Sequence, residues 1–238
     1  MGETNVLWNE RVLGVQEYAC MGRDEGKSDD PEERGGSVSF EEATDHELID
    51  ATRAGEDQAY AEIVARYKGQ LISYLYRMLG DYEEAIDLAQ ESFVRVFFAI
   101  DRYHSGYAFS TYIYRIATNL AISEIRKRKR RRVLSLTGLY QFEENSEAEY
   151  QPPDDRPHPE DSLVSDELRR TIGKAISALP ERYRAPIILR EIEERSYEEI
   201  AEILGLGLGT TKSRISRGRG ILRKRLEGYL SSETDELQ

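Results

Sequence analysis

The stretch from Ser196 to Arg225 constrains this chain more than any other segment. It begins Ser196-Tyr197-Glu198-Glu199-Ile200-Ala201-Glu202-Ile203-Leu204-Gly205 and continues through Gly209-Thr210-Thr211-Lys212-Ser213-Arg214-Ile215-Ser216-Arg217. Ser196 and Glu199 stand at capping-box spacing, where each side chain bonds the other's backbone N–H, so a helix starts there. Ile200, Ala201 and Leu204 give that helix a narrow apolar face. Gly205, Gly207 and Gly209 suit a sharp turn, because glycine adopts positive φ at little cost. In the next helix Ile215, Leu222 and Leu226 point inward, and Lys212, Ser213, Ser216 and Arg217 fall on the opposite face. The pattern predicts a helix-turn-helix, whose second helix fits the DNA major groove.

That second helix is strongly basic. Lys212, Arg214, Arg217, Arg219, Arg223, Lys224 and Arg225 are seven cations with no acid between Thr210 and Leu226. Lys and Arg contact guanine edges or phosphates, and serine reaches either. A helix N-terminus also favours a phosphate. Thr210, Lys212, Ser213, Arg214, Ser216, Arg217 and Arg219 are therefore the candidate DNA contacts. A solvated basic helix in an ordinary bundle is the plainer alternative. The capping box, the turn glycines and the segregated face together weigh against it.

The charge is local. The 238-residue chain carries a net charge of −12, which argues against a general nucleic-acid coat protein. Residues 1–44 hold 4 basic and 11 acidic residues, and residues 45–132 hold 14 and 13. Residues 133–166 hold 1 and 9, and residues 167–230 hold 14 and 9. Two near-neutral or basic blocks thus alternate with acidic connectors. Both blocks read as helical, and no strand alternation of any length occurs, so the expected fold class is all-α.

In the first block, Leu48, Ala51 and Ala54 fit a short helix. Ala59, Ile63, Val64, Tyr67, Leu71, Leu75 and Met78 then follow an apolar three-four spacing up to a stop at Gly80. Asp81 and Glu84 stand in capping-box register before a stripe of Ala85, Leu88, Ala89, Phe93 and Val96. A long helix runs from about Ser110 through Ile113, Ile116, Ala117, Leu120 and Ile125 into Arg126-Lys127-Arg128-Lys129-Arg130-Arg131-Arg132. Residues 133–165, with Pro152, Pro153, Pro157 and Pro159, read as an acidic linker. Periodicity returns from about Asp166 with Leu168, Ile172, Ala175, Ile176 and Leu179. Pro180 ends that helix, and Ile187, Ile188, Leu189 and Ile192 lie in the next. The expected domains are 45–132 and 166–230, with an acidic tail at 231–238.

Residues 1–44 bury too little apolar surface to offset the entropy of ordering, so disorder is expected there. Trp8, Val12, Leu13 and Val15 suit a short docking helix. This extension reads first as a segment without a role, and otherwise as an acidic decoy for DNA-binding surfaces or a docking segment for a regulator.

Between the helices of the first block lies Arg102-Tyr103-His104-Ser105-Gly106-Tyr107-Ala108-Phe109-Ser110-Thr111-Tyr112-Ile113-Tyr114-Arg115. Aromatic faces stack on exposed bases while cations track the backbone. A protein that opens DNA needs such a surface, because an unpaired base must be held. Packing of the bundle explains Tyr112 and Ile113 better, and contact with DNA explains the 104–109 loop better.

Asp87-Leu88-Ala89-Gln90-Glu91-Ser92-Phe93, Phe109-Ser110-Thr111-Tyr112-Ile113-Tyr114-Arg115-Ile116-Ala117-Thr118-Asn119, Ala178-Leu179-Pro180-Glu181-Arg182-Tyr183-Arg184 and Gly209-Thr210-Thr211-Lys212-Ser213-Arg214 occur in that order. In these motifs the chain resembles the extracytoplasmic-function sigma factors of bacterial RNA polymerase, over about 45–132 and 165–230. The resemblance implies two partners, core RNA polymerase and promoter DNA. Asp87, Leu88, Gln90, Glu91 and Phe93 would grip the largest polymerase subunit. His104, Ser105, Tyr107, Phe109, Thr111, Tyr112, Arg115 and Asn119 would read and melt the −10 element. Arg126, Lys127 and Arg128 would sit on adjacent duplex phosphates, and the 210–217 helix would read the −35 element. The linker would thread toward the catalytic cleft and RNA exit path. An anti-sigma partner is common in the family, and no residue here identifies one. The chain departs from the family where Tyr112 replaces a frequent Trp and Gly207 a frequent Pro.

Other functions fit less well. A dimeric operator-binding regulator needs one recognition helix per protomer, whereas two different DNA-facing modules share this chain. A pure interaction protein has no use for the charged reader helix. His46, His104 and His158 are scattered, with no acid–base constellation, phosphate-cradling glycine loop or metal spacing, so neither catalysis nor a cofactor is expected. Cys20, the only cysteine, cannot close an internal disulfide, and a reducing cytoplasm is the natural compartment. The N-terminus lacks the pattern of a signal peptide, and no apolar run approaches the roughly 20 residues of a membrane span.

Overall fold

The computed structural model describes residues 40, 42–104, 106–136 and 162–235. The readings that fall on Trp8, Cys20, Ser105, most of the 1–44 extension and most of the 133–165 linker lie outside these residues. Eight α-helices are described: α1 (Asp45–Arg53), α2 (Asp57–Leu79), α3 (Tyr82–Ala99), α4 (Phe109–Leu136), α5 (Ser162–Ser177), α6 (Glu181–Glu191), α7 (Tyr197–Leu204) and α8 (Leu208–Asp235). A single 3-10 turn, Ile100–Arg102, follows α3, and there is no strand among the described residues. The fold is all-α.

The chain divides into two compact units between Tyr67 and Lys68, within α2. In the first unit, Thr44 caps α1 in a full capping box: its backbone N–H donates to Glu47 at 2.7 Å, and its hydroxyl accepts from the Glu47 N–H at 3.4 Å. Leu48 and Ile49 are buried, Ala51 is half-buried and Ala54 is an exposed C-cap, so only Leu48 of the expected three is core. Ala59, Tyr60, Ile63 and Val64 supply the buried stripe of α2 here. Arg66 secures the segment ahead of α1 by donating to the Ala43 carbonyl at 2.6 Å and the Phe40 carbonyl at 2.8 Å.

The second unit begins within α2, whose Leu71, Tyr74, Leu75 and Met78 are buried. Gly80, at φ +75°, ends the helix. Asp81 caps α3 by accepting from the Glu84 N–H at 3.0 Å, but the reciprocal half of the expected capping box is missing. The Glu84 carboxylate instead holds Arg128 of α4. Ala85, Leu88, Ala89, Phe93 and Val96 form the α3 stripe as read from sequence, with Ser92 buried among them through a 2.6 Å bond to the Leu88 carbonyl. α4 packs against α3 and also against α6 and α7.

Around α6, which buries Tyr183 and the run from Ala185 to Leu189, pack α5, α7 and α8. α5 buries Ala175 and Ile176, and Leu179 just beyond it is also buried, whereas Leu168 and Ile172 remain exposed. Gly218 marks the closest approach of α8 to α6: a Cβ there would lie 2.6 Å from Ile187 Cγ1. Arg184 braces the assembly, donating to the Met78 carbonyl of α2 at 2.6 Å and to the Leu179 carbonyl at 3.0 Å.

Candidate nucleic-acid interface

The α7–turn–α8 segment forms as its sequence demands. Ser196 caps α7, accepting from the Glu199 N–H at 3.1 Å while its own N–H donates to Glu199 at 2.8 Å. Burial raises the Glu199 pKa, but the bonds from Ser196 and the nearby Arg195 outweigh it and hold it below the usual carboxylate range. Gly205 ends α7 in the left-handed region at φ +61°, where only glycine is unstrained. Gly207 and Gly209 do not take positive φ. Gly207 instead supplies the carbonyl that accepts from the Thr211 N–H at 3.0 Å.

Burial sorts the two helices into faces. Of the expected inner residues of α7, Ile200 is buried while Ala201 and Leu204 are half-buried, and Ile203 completes the buried side. On α8, Thr211, Ile215 and Gly218 are buried at i, i+4, i+7 spacing, and Leu222 and Leu226 are only half-buried. Thr210, Lys212, Ser213, Ser216 and Arg217 are exposed, and Arg214 is half-buried. Arg219 is exposed but donates to Glu191 of α6 at 2.9 Å, which neutralises part of its charge. Sequence reasoning missed Tyr197 and Arg190. The Tyr197 ring lies 5.7 Å from Lys212 Nζ and 4.9 Å from the Arg190 guanidinium, so it holds both cations beside the exposed face.

The segment before α4 divides in the same way. His104 is exposed, with Nδ1 on the Arg102 carbonyl at 2.7 Å, and Tyr107 is 59% exposed. Beneath them Tyr103 packs against Phe109 at 5.7 Å and Tyr112 at 5.2 Å, and its hydroxyl donates to the Tyr107 carbonyl at 2.6 Å. Phe109 and Thr111 are buried and Tyr112 is half-buried, so these side chains support the loop from below. Arg115 and Asn119 are exposed on α4. Arg126 reaches Glu181 at 3.6 Å, and Lys127 reaches Glu124 at 3.1 Å. Arg128 turns inward, bonding the Glu84 carboxylate and the Leu79 carbonyl at 3.2 Å. A side chain committed to those partners braces α4 against α3.

α4 and the α6–α7 connection share a polar contact. Arg115 pairs with Glu202 at 2.8 Å, Arg195 donates to the Ser110 hydroxyl at 3.0 Å, and Tyr114 donates to Glu193 at 2.6 Å. Burial pushes the Glu193 pKa above the usual carboxylate range, and the Tyr114, Arg77 and Arg195 contacts only partly offset it. Burial also drives the Tyr114 phenol far up, as it does Tyr74, whose hydroxyl shares a 2.7 Å bond with Thr118.

On α3, Asp87 and Glu91 are exposed and Gln90 is half-buried, while Leu88 and Phe93 belong to the core and offer a partner no surface. Glu91 pairs with Arg95 at 2.5 Å. The face that carries Asp87 and Glu91 continues about two turns to Phe98, which is 77% exposed. Its signal in sequence was an aromatic residue off the buried stripe.

Residues 63–131 match the family described as Sigma-70 region 2, and residues 169–222 match Sigma-70, region 4. The ECF RNA polymerase sigma factor SigW of Bacillus subtilis is 43% identical over 183 residues, covering 75% of this chain and 94% of that protein. The chain belongs to the extracytoplasmic-function sigma factors.

SigE of Mycolicibacterium smegmatis is 36% identical, covering 82% of this sigma factor and 72% of the relative. Among solved structures, the sigma factor RpoE bound to the anti-sigma factor NepR from Bartonella quintana aligns with a TM-score of 0.55 at 25% identity, over 70% of this chain and 95% of that one. As a sigma factor the protein binds core RNA polymerase and directs promoter recognition and transcription initiation, as a specificity subunit without a catalytic site of its own. Among the described residues no helix is long and apolar enough to cross a membrane, and no group of His, Cys, Asp and Glu is placed to hold a metal.

Proposed function

We propose that this sigma factor reads its two promoter elements with two separate surfaces, the outer face of α8 for the −35 element and the 104–107 loop with the exposed side of α4 for the −10 element. The observation that carries the −35 half is the sorting on α8, where Lys212, Ser213, Ser216 and Arg217 are exposed while Thr211, Ile215 and Gly218 are buried. A helix that turns two cations and two hydroxyls outward while anchored on a β-branched inner face suits major-groove reading. Arg214 and Thr210 flank that face. For the −10 element, Tyr107 and His104 are the side chains free to meet an unstacked base, with Arg115 and Asn119 beside them. Arg126 and Lys127 extend the surface along the duplex backbone.

Polymerase binding belongs to the Asp87, Gln90 and Glu91 side of α3. The acidic linker threads toward the RNA path, and an anti-sigma factor would cover the same surfaces that meet polymerase and promoter. RpoE of Bartonella quintana, which shares this fold, has been solved with such a partner. The chain works in the cytoplasm, where its polymerase is.

Run-off transcription tests the assignment. Full-length chain and core polymerase are combined on promoters carrying randomised −35 and −10 elements. Lys212→Ala and Ser216→Ala should relax preference only at the −35 positions, and Tyr107→Ala should slow open-complex formation without altering −35 preference. The same shift in preference from both groups of variants would defeat the division of labour.

A further inference from the structure

We propose that Arg182 of α6 is a phosphate-binding residue of the −35 contact, completing a pocket of three guanidiniums that takes one backbone phosphate of the promoter. The proposal rests on the reading of α8 given above and adds to it a residue from a different helix.

A cavity of about 370 Å³ opens beside the start of α8, lined by Arg182 and Tyr183 of α6 and by Thr210, Ser213, Arg214 and Arg217 of α8. Three arginines and three hydroxyl-bearing residues, Tyr183, Thr210 and Ser213, line this space, and no Asp or Glu does. Three other cations of this unit are paired with acids: Arg219 with Glu191, Arg126 with Glu181 and Arg115 with Glu202. Arg182, Arg214 and Arg217 have no ion pair among the described residues. In a chain of net charge −12, a cavity that gathers cations and no acids suits an anion.

The guanidinium matches a phosphate with paired N–H donors, a geometry that a lysine ammonium lacks. Arg182 is also held in place before any ligand arrives, its guanidinium lying 4.8 Å from the Tyr183 ring centroid. Contacts to phosphate fix the register and tilt of a reading helix, while contacts to base edges carry the sequence information. Because Arg182 stands on α6, its bond to the backbone would fix the whole α6–α8 module against the duplex. Base selection would stay with Lys212 and Ser216, which lie outside this cavity.

The test uses holoenzyme assembled from the full chain and core polymerase, bound to promoter duplex over a range of salt. Arg182→Ala should weaken binding about tenfold, the size of one charge-assisted contact, and equally for every −35 sequence. It should also reduce the slope of log affinity against log salt by about 0.9, the value for one phosphate neutralised. One methylphosphonate linkage that weakens the parent protein should leave Arg182→Ala unaffected. Arg182→Lys should keep the salt slope and lose part of the affinity, which separates lost charge from a folding defect. Unchanged affinity and slope for Arg182→Ala, with Lys212→Ala and Arg217→Ala both weakened, overturns the proposal and leaves the α8 reading standing. Unchanged binding in all three variants removes that reading itself. Altered discrimination among −35 sequences in Arg182→Ala makes the residue a base reader and also overturns the proposal.

Discussion

The Tyr114 hydroxyl donates to the Glu193 carboxylate at 2.6 Å across 79 residues of sequence. Both ends are constrained further: the Arg195 guanidinium lies 4.8 Å from the Tyr114 ring centroid, and Arg77 reaches Glu193 at 3.7 Å. A buried phenol stripped of its acceptor keeps its desolvation cost and loses its bond, a penalty of about 1–3 kcal/mol. Glu193→Ala should therefore lower unfolding stability by about that amount in urea denaturation. Glu193→Gln keeps an acceptor and should cost less. Equal midpoints for Glu193→Ala and the parent would show that the bond contributes nothing.

The same carboxylate sets a pH dependence. Burial raises the Glu193 pKa in the folded chain above its unfolded value. The folded state then binds this proton more tightly, so the contribution is full below the ordinary glutamate range and is lost as pH rises through the raised folded value. Glu47 and Glu199 act in the opposite sense. Their pKa values are lowered, Glu47 mainly by the Thr44 backbone bond and Glu199 against the effect of its burial, so their contributions fade as pH falls through the lowered values. Comparing the parent with Glu193→Gln between about pH 4 and pH 8 isolates the first effect, because the amide does not titrate in that range. The parent should lose stability relative to the variant as pH rises, and parallel curves would contradict the assignment.

How much of this was legible in sequence depends on the range of the interaction. The Ser196–Glu199 box, the Gly80 stop and the α3 stripe are local, fixed by residues within one or two turns, and all three stand in the structure. The second half of the Asp81–Glu84 box failed because a longer-range partner, Arg128, took the carboxylate. A row of seven cations looks uniform in sequence, yet burial separates Arg128 from Arg126 and Lys127. The aromatic cluster 103–112 posed the same difficulty. Tyr107 and Phe109 are two residues apart, but the start of α4 turns one outward and the other into the core. The Tyr114–Glu193 bond left no local trace, since it joins two blocks separated by a long acidic stretch.

Gly218 and Gly220 lie two residues apart on α8 and on opposite faces, the first buried and the second exposed. A methyl at Gly218 would strike Ile187, itself fully buried, whereas one at Gly220 meets nothing within 4 Å. Gly218→Ala should destabilise the chain by about 1–3 kcal/mol through overpacking. Gly220→Ala should stabilise it by up to about 1 kcal/mol through helix propensity. Thermal unfolding of the two variants provides the comparison, and a shift of the same sign in both would show that α8 does not rest on α6 at Gly218.

The surface of α3 separates two groups of residues that a polymerase-binding assay alone would confuse. Phe93 is buried, so Phe93→Ala should cost about 3–5 kcal/mol of stability and weaken polymerase binding only because folded protein is lost. Phe98 is 77% exposed on the face that carries Asp87 and Glu91. Phe98→Ala should leave unfolding stability within about 0.5 kcal/mol of the parent, as surface changes usually do. An exposed aromatic beside charged residues is the composition of an interface anchor, whose truncation typically costs 2 kcal/mol or more, roughly a thirtyfold loss of affinity. Titration of core polymerase with labelled full-length chain at matched folded concentration measures that loss directly. Parent-like affinity for Phe98→Ala, with Glu91→Ala weakened, would confine the polymerase surface to the acidic end of α3.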